Sequence, residues 1–250
     1  MIASLMMYAR PELDAAHAHY WTLIRAALAA RRIAAPETLA NAAEEFSVWE
    51  APDLVLSQTC GMPFRMRLHG RVQLVGTPDF GIDGCQPGYY RSAIVVRRDD
   101  SRMALADFRD ARFAYNMTHS QSGFAAAYAM VQAAGFWFTD RVASGGHRVS
   151  ARMVAKEQAD IAAIDAVTWR LIERYDAFAR DLRVLTWSPP TPGLPYITGP
   201  GQDAAAIFDA VSEAIAQLSA EDRAALGLRG LTRIPAKDYL AIPNPPPEAG

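Results

Sequence analysis

Most of the features that would give this chain's function away are missing from its sequence. No apolar run reaches the roughly 18–20 residues that a bilayer-spanning helix needs, so no membrane insertion is expected. Neither sign of charge dominates: 25 Lys and Arg face 27 Asp and Glu, a formal net charge of −2. That near balance offers no basic face of the kind that nucleic acid or an anionic surface requires, and no nucleic-acid partner is expected. There are only 2 cysteines, Cys60 and Cys85, with no CxxC or CxH spacing around them. A metal site built on them is therefore excluded, no cofactor is implied, and two unlinked thiols is the expected state, with a disulfide as the alternative. The G-x-S-x-G pattern of a nucleophile elbow is absent, as are internal repeats and low-complexity blocks. At the start, residues 1–8 are apolar without a basic segment or a cleavage site, and Arg10-Pro11-Glu12 follows at once. They read as a first strand rather than a signal peptide.

What is present is 51% hydrophobic residues arranged in alternation. Short apolar runs take turns with amphipathic segments, the pattern of α/β architecture. Strands are expected near 2–7, 53–57, 71–75, 92–96, 112–115, 160–164 and 182–187, with an extended run from Phe136-Trp137-Phe138. The 53–57 and 71–75 runs read as parallel strands. Helices are expected over 14–32, 123–134, 147–158, 167–179 and 204–218, the second stopping at Gly135. No flexible linker divides the chain, so two lobes would have to be joined by ordered crossings. The best candidates lie at 89–92 and 186–190. They divide the chain into one lobe of residues 1–90 plus 186–250 and another of 91–185.

The most informative stretch is Thr118-His119-Ser120-Gln121-Ser122-Gly123, which runs from a strand into an alanine-rich helix. Ser at a helix start accepts from free backbone N–H groups, and the helix dipole is positive there. Ser120, Gln121, Ser122 and Gly123 thus form a candidate oxyanion seat, although the same letters also fit an ordinary cap with a spare serine. Two further starts add to it. Ser144-Gly145-Gly146-His147 opens the next helix, and Asp165 follows the strand at 160–164. In open α/β sheets, ligands lie beyond the carboxyl ends of the strands, where Ser120, Ser122, His147 and Asp165 could share one rim.

In the order of these pieces the chain resembles the phosphate/phosphite/phosphonate substrate-binding proteins of ABC transporters. The matching segments are Tyr90-Arg91-Ser92-Ala93-Ile94-Val95-Val96, Leu105-Ala106-Asp107-Phe108, Ser120-Gln121-Ser122-Gly123, Gly146-His147 and Ala159-Asp160-Ile161-Ala162-Ala163-Ile164-Asp165. The resemblance implies a type II periplasmic-binding fold, two α/β lobes with two crossover hinge segments closing on a ligand. It implies that the Ser-x-Ser-Gly start holds the oxygens of a phosphate, phosphite or phosphonate, completed by His147 and Asp165. Tyr90, Tyr8 and Ser57, the last two from the loops after the first strands, would supply the opposing wall. A periplasmic monomer serving an ABC permease is the implied setting.

Physical chemistry adds one refinement. A carboxylate at Asp165 repels a fully deprotonated anion, but accepts a hydrogen bond from a protonated ligand oxygen or faces a ligand ammonium. Two other functions remain open. Ser120 or Ser122, His147 and Asp165 are the residue types of a hydrolase triad, and related folds serve as cytoplasmic ligand sensors or in cofactor biosynthesis.

Overall fold

The computed structural model describes residues 1–247, which fall into two compact units. The first joins Met1–Tyr89 to Pro192–Ala241; the second runs from Tyr90 to Thr191 and includes residues 242–247.

In the first unit a five-stranded sheet has the order Ile2–Ser4, Leu54–Gln58, Tyr196–Thr198, Gln73–Asp79, Gly230–Thr232. Ile2–Ser4 and Leu54–Gln58 are parallel, whereas Gln73–Asp79 is antiparallel to both its neighbours. Leu54–Gln58 and Gln73–Asp79 thus run in the same direction, as expected, but are not paired with each other, because the late strand Tyr196–Thr198 lies antiparallel between them. Side chains alternate across a strand, so Tyr196 joins one core with Ala3, Tyr20, Ile24 and Val211, while Ile197 joins another with Trp49, Phe64 and Tyr239. The helices Asp14–Ala30 and Ala204–Gln217 cover the first of these faces.

The second unit repeats the layering with a sheet of order Arg141–Ala143, Phe113–Tyr115, Ile161–Asp165, Ser92–Arg97, Leu182–Trp187. Ile94, Val96, Phe113, Ile161 and Ala163 face one core; Ala93, Val95, Ala114, Ala162 and Ile164 face the other. The first core is filled by Phe124, Val131, Phe136 and Phe138, and the second by Ala151, Val154, Trp169 and Ile172. A run such as Ser92–Val96 has no polar side, which is why both its faces carry helices.

Several boundaries differ from expectation. Phe136-Trp137-Phe138 is no strand; its rings join an aromatic cluster, with Phe113 stacked on Phe138 at 4.7 Å, and the edge strand comes later at Arg141–Ala143. The first strand stops at Ser4 and Met6–Tyr8 turns as a 3-10 helix. The second unit runs on to Thr191, past residue 185, because Thr186 and Trp187 still pair with Ile94 and Ala93. Tyr89–Tyr90 and Thr191–Pro192 pair as a two-stranded sheet of their own. Cys60 and Cys85 are free thiols. Among the described residues no helix is long and apolar enough to cross a membrane.

Phe113, 1% exposed and in ring contact with Tyr115, Trp137 and Phe138, anchors the second unit's aromatic core. Phe113→Ala is expected to lower stability by about 3–5 kcal/mol, read as a lower urea midpoint in near-ultraviolet circular dichroism.

Candidate functional site

Three neighbouring strands of the second unit, Arg141–Ala143, Phe113–Tyr115 and Ile161–Asp165, run parallel, so their carboxyl ends lie along one edge of its sheet. The chain leaves that edge each time by a helix start: at Ser120 after the middle strand, at Gly146 after the outer one, and at Asp165 after the third. Ser92–Arg97 is antiparallel to Ile161–Asp165, with Ser92 opposite Asp165, which brings the chain's entry at Tyr90 and Arg91 to the same edge.

The start at Ser120 is unusual. Gln121–Ala125 forms a π-helical turn, closed by Ala125 N–H to the Ser120 carbonyl at 3.0 Å, before the α-helix Ala126–Ala133 begins. Such a turn is wider than an α-turn and spreads its first amides. Ser120 Oγ accepts from Gly123 N–H at 3.0 Å, so part of the expected seat is spent on the cap; its own hydroxyl proton remains to donate. Among the described residues no hydrogen bond engages the Ser122 amide. Gln121 lies buried within the turn.

His147 does reach the seat. Its Nε2 lies 2.9 Å from Ser122 Oγ and 3.5 Å from Asn116 Nδ2. No strict hydrogen bond reaches its buried Nδ1; the polar group acting on the ring is the Ala163 carbonyl, which favours the proton. Burial outweighs that contact and pushes the imidazole down to about 4, so the ring is neutral at physiological pH. A neutral ring with its proton on the Ala163 side presents Nε2 as an acceptor, and Ser122 O–H then donates to it. Gly123 is required by closeness rather than by backbone conformation: a Cβ there would sit 1.9 Å from Asn116 Oδ1 and 2.9 Å from His147 Cε1. Gly145, at φ 81°, supplies the left-handed residue that turns the chain into the His147 helix.

Asp165 stands at the same edge, and it also serves as a helix cap. Its Oδ1 caps the next helix, accepting from Val167 N–H at 2.7 Å and Thr168 N–H at 3.0 Å. A carboxylate so held is not the third member of a Ser-His-Asp chain, since the ring of His147 faces a backbone carbonyl instead. Tyr90 is buried at the start of the unit, 3% exposed. Tyr8 and Ser57 belong to the first unit. Tyr8 closes a 3-10 turn with its ring edge-on to Phe80 at 5.1 Å, and Ser57 lies inside the strand Leu54–Gln58 rather than in the loop after it. The hydroxyls of Ser57 and Thr59 are buried without a hydrogen-bond partner.

Two residues of the second unit's edge were not singled out from the sequence. Asn116, 6% exposed, follows the middle strand and touches the seat through Gly123 and His147. Its place just after Tyr115 was the available signal. Arg91 lays its guanidinium over Trp187 at 4.4 Å, with Nε buried and unpartnered. Among the described residues no group of His, Cys, Asp and Glu is arranged to hold a metal ion.

The profile of a family described as "ABC transporter, phosphonate, periplasmic substrate-binding protein" matches residues 56–239. No curated protein matches in sequence. Among solved structures, PhnD1 from Prochlorococcus marinus in complex with methylphosphonate superposes with a TM-score of 0.72 at 13% identity, covering 95% of this chain and 93% of that one. XAC2383 from Xanthomonas citri bound to ATP gives 0.70 at 15% identity, covering 96% and 94%. A binding protein component of an ABC phosphonate transporter from Pseudomonas aeruginosa gives 0.66 at 15%, covering 96% and 82%. At these identities the likeness is one of fold, and the fold is the type II periplasmic-binding one.

The depressed imidazole makes stability depend on pH in a defined direction. Unfolded His147 takes its proton near 6.5 but folded His147 only near 4, so across that window the unfolded state binds more protons and stability falls as pH is lowered. The loss attributable to this ring is about 3 kcal/mol at most. Urea unfolding of the wild type and of His147→Gln from pH 7 to pH 4 should show the shallower dependence in the variant. Gly123→Ala is expected to cost about 1–3 kcal/mol in the same assay, from the overlap with Asn116.

Proposed function

Because the chain belongs to the periplasmic phosphonate-binding family of ABC-transporter proteins, we propose that it captures a phosphorus oxyanion and that the π-turn start at Ser120 is where the oxygens are held. The family's role is solute binding for a phosphonate transporter. Phosphonate, phosphite and phosphate share the tetrahedral oxyanion that such a seat fits.

The observation that carries this reading is the set of donors left over at one sheet edge. Ser120 keeps a hydroxyl proton, the Ser122 amide has no partner among the described residues, and the helix dipole adds positive potential to both. An anion satisfies these groups without a buried lysine. Seated there, it would also draw the Ser122 proton away from His147, because a hydroxyl donates more strongly to a charged oxygen than to a neutral ring. In the first unit, Ser57 and Thr59 carry unsatisfied hydroxyls of the same kind, and we count Ser57, with Tyr8 and Tyr90, among the proposed ligand contacts. Methylphosphonate and ATP, bound by two proteins of this fold, both present tetrahedral phosphorus oxygens, which fits the reading. An ABC permease as recipient, a periplasmic location and a monomeric state belong to the same proposal.

The 2.9 Å contact of Ser122 with His147 is the geometry of a nucleophile and its base, and it invites an enzymatic reading. We propose binding instead. The acid that would orient the base is engaged by its own helix, and an imidazole held near 4 is a weak base.

A thermal-shift panel of phosphate, phosphite, methylphosphonate, aminoethylphosphonate and sulfate tests the proposal, since a ligand that binds only the folded chain raises its melting temperature. At least one phosphorus oxyanion should do so, and Ser122→Ala should weaken it about tenfold or more by calorimetry, the value of a hydrogen bond to a charged group. No shift with any of them, or steady turnover of generic phosphoesters, would overturn it.

A further inference from the structure

Beside the candidate seat, packed against Gly123 and His147, stands the buried side chain of Asn116. Asn116 is 6% exposed, and its Oδ1 is buried with no hydrogen-bond partner. Buried acceptors are nearly always satisfied, and one that is not marks either a cost to folding or a place kept for something else. The backbone that carries this side chain is held. Its backbone carbonyl accepts from Gly145 N–H at 3.0 Å, and the preceding Tyr115 carbonyl accepts from Ser144 N–H at 2.8 Å, so both flanks are tied to the loop that carries His147. The amide orientation follows from the neighbouring ring: Nε2 of His147 is an acceptor, so Nδ2 faces it at 3.5 Å and Oδ1 faces Gly123. Glycine at 123 is what allows that oxygen to come so near the helix start, since any Cβ would occupy its place.

We propose that Asn116 is a ligand-binding residue that sets specificity, its carboxamide oxygen accepting a hydrogen bond from a protonated oxygen of the bound anion. The inference rests on the seat described under Proposed function and deepens it by naming the protonation state of the ligand. Ser120 and the Ser122 amide can only donate toward an anion; a site made solely of donors suits sulfate as well as phosphate. One fixed acceptor changes that. It is satisfied by the P–OH of a hydrogen phosphate or hydrogen phosphonate, and is left repelling the lone pairs of sulfate, which has no proton to offer. This is the part the sequence reading gave to Asp165, whose Oδ1 is engaged by two helix amides. A carboxamide fills it without adding negative charge beside an anion.

Calorimetric titration with inorganic phosphate, methylphosphonate and sulfate tests this on the wild type and two variants. Asn116→Leu keeps the volume and removes the acceptor. Its affinity for phosphate and methylphosphonate should fall about tenfold or more while sulfate changes little, so that discrimination between them collapses. An unchanged ratio overturns the proposal and leaves the anion seat standing. Should Asn116→Leu fail to melt cooperatively, Asn116→Asp carries the test: nearly isosteric, it places a charge where the anion would lie and should cost at least about tenfold in phosphate affinity, whereas wild-type affinity would overturn the proposal. Wild-type protein that binds neither phosphate nor methylphosphonate overturns the seat itself, and this inference with it.

Discussion

A backbone amide at the start of a helix has no carbonyl behind it to receive its proton. Everything at the candidate site turns on where those protons go. At the Asp165 start the question is answered locally, since the carboxylate takes two amides; at the His147 start the Ser144 hydroxyl accepts only from Gly146 N–H, at 3.3 Å. At Ser120 it is answered only in part. One amide, that of Gly123, goes to the serine hydroxyl, while the Ser122 amide, in the first turn, has no carbonyl behind it and no partner among the described residues. The fold holds an incomplete helix start rigidly, at the end of strands packed on both faces.

That rigidity comes from the alternation of the second sheet. Ile161, Ala163 and Asp165 point one way and Ala162 and Ile164 the other, so the strand beneath the seat cannot slip by one residue without exchanging its two cores. The small residues matter as much as the large ones. Ala162 and Ala163 are fully buried and leave room for Val154, Trp169 and Phe124 to close over the sheet. The proposed seat would need its donors fixed more closely than loops alone hold them, and here they stand on a helix start that follows the strand Phe113–Tyr115.

Much of this was legible beforehand, and the reasons differ from residue to residue. Ser120, Ser122 and His147 could be placed on one edge because strand ends and helix starts announce themselves locally, through Gly, Ser and the change from short apolar runs to helical spacing. The order of segments carried the family resemblance, and with it the two-lobed fold. Asp165 stands at the strand end where its sequence position puts it, but that its Oδ1 caps its own helix depends on its rotamer, which leaves no trace in the letters. The antiparallel setting of Gln73–Asp79 was hidden for another reason: its partner, Tyr196–Thr198, lies more than a hundred positions away in the chain. Phe136-Trp137-Phe138 misled because an aromatic cluster and a buried strand have the same composition. Asn116 escaped notice since one asparagine after a strand is ordinary, and only the missing Cβ at Gly123 makes it a neighbour of the seat.

The pairing of Ser92 with Asp165 places the doorway of the second unit on the same rung of its ladder as the floor of the seat. Ala166 N–H reaches back to the Arg91 carbonyl at 3.0 Å, and Ser188 ties its hydroxyl to Ser92 N–H at 2.9 Å, so entry strand, exit strand and floor are stitched together within a few residues. A substitution that moves any one of these residues would therefore be expected to disturb the other two.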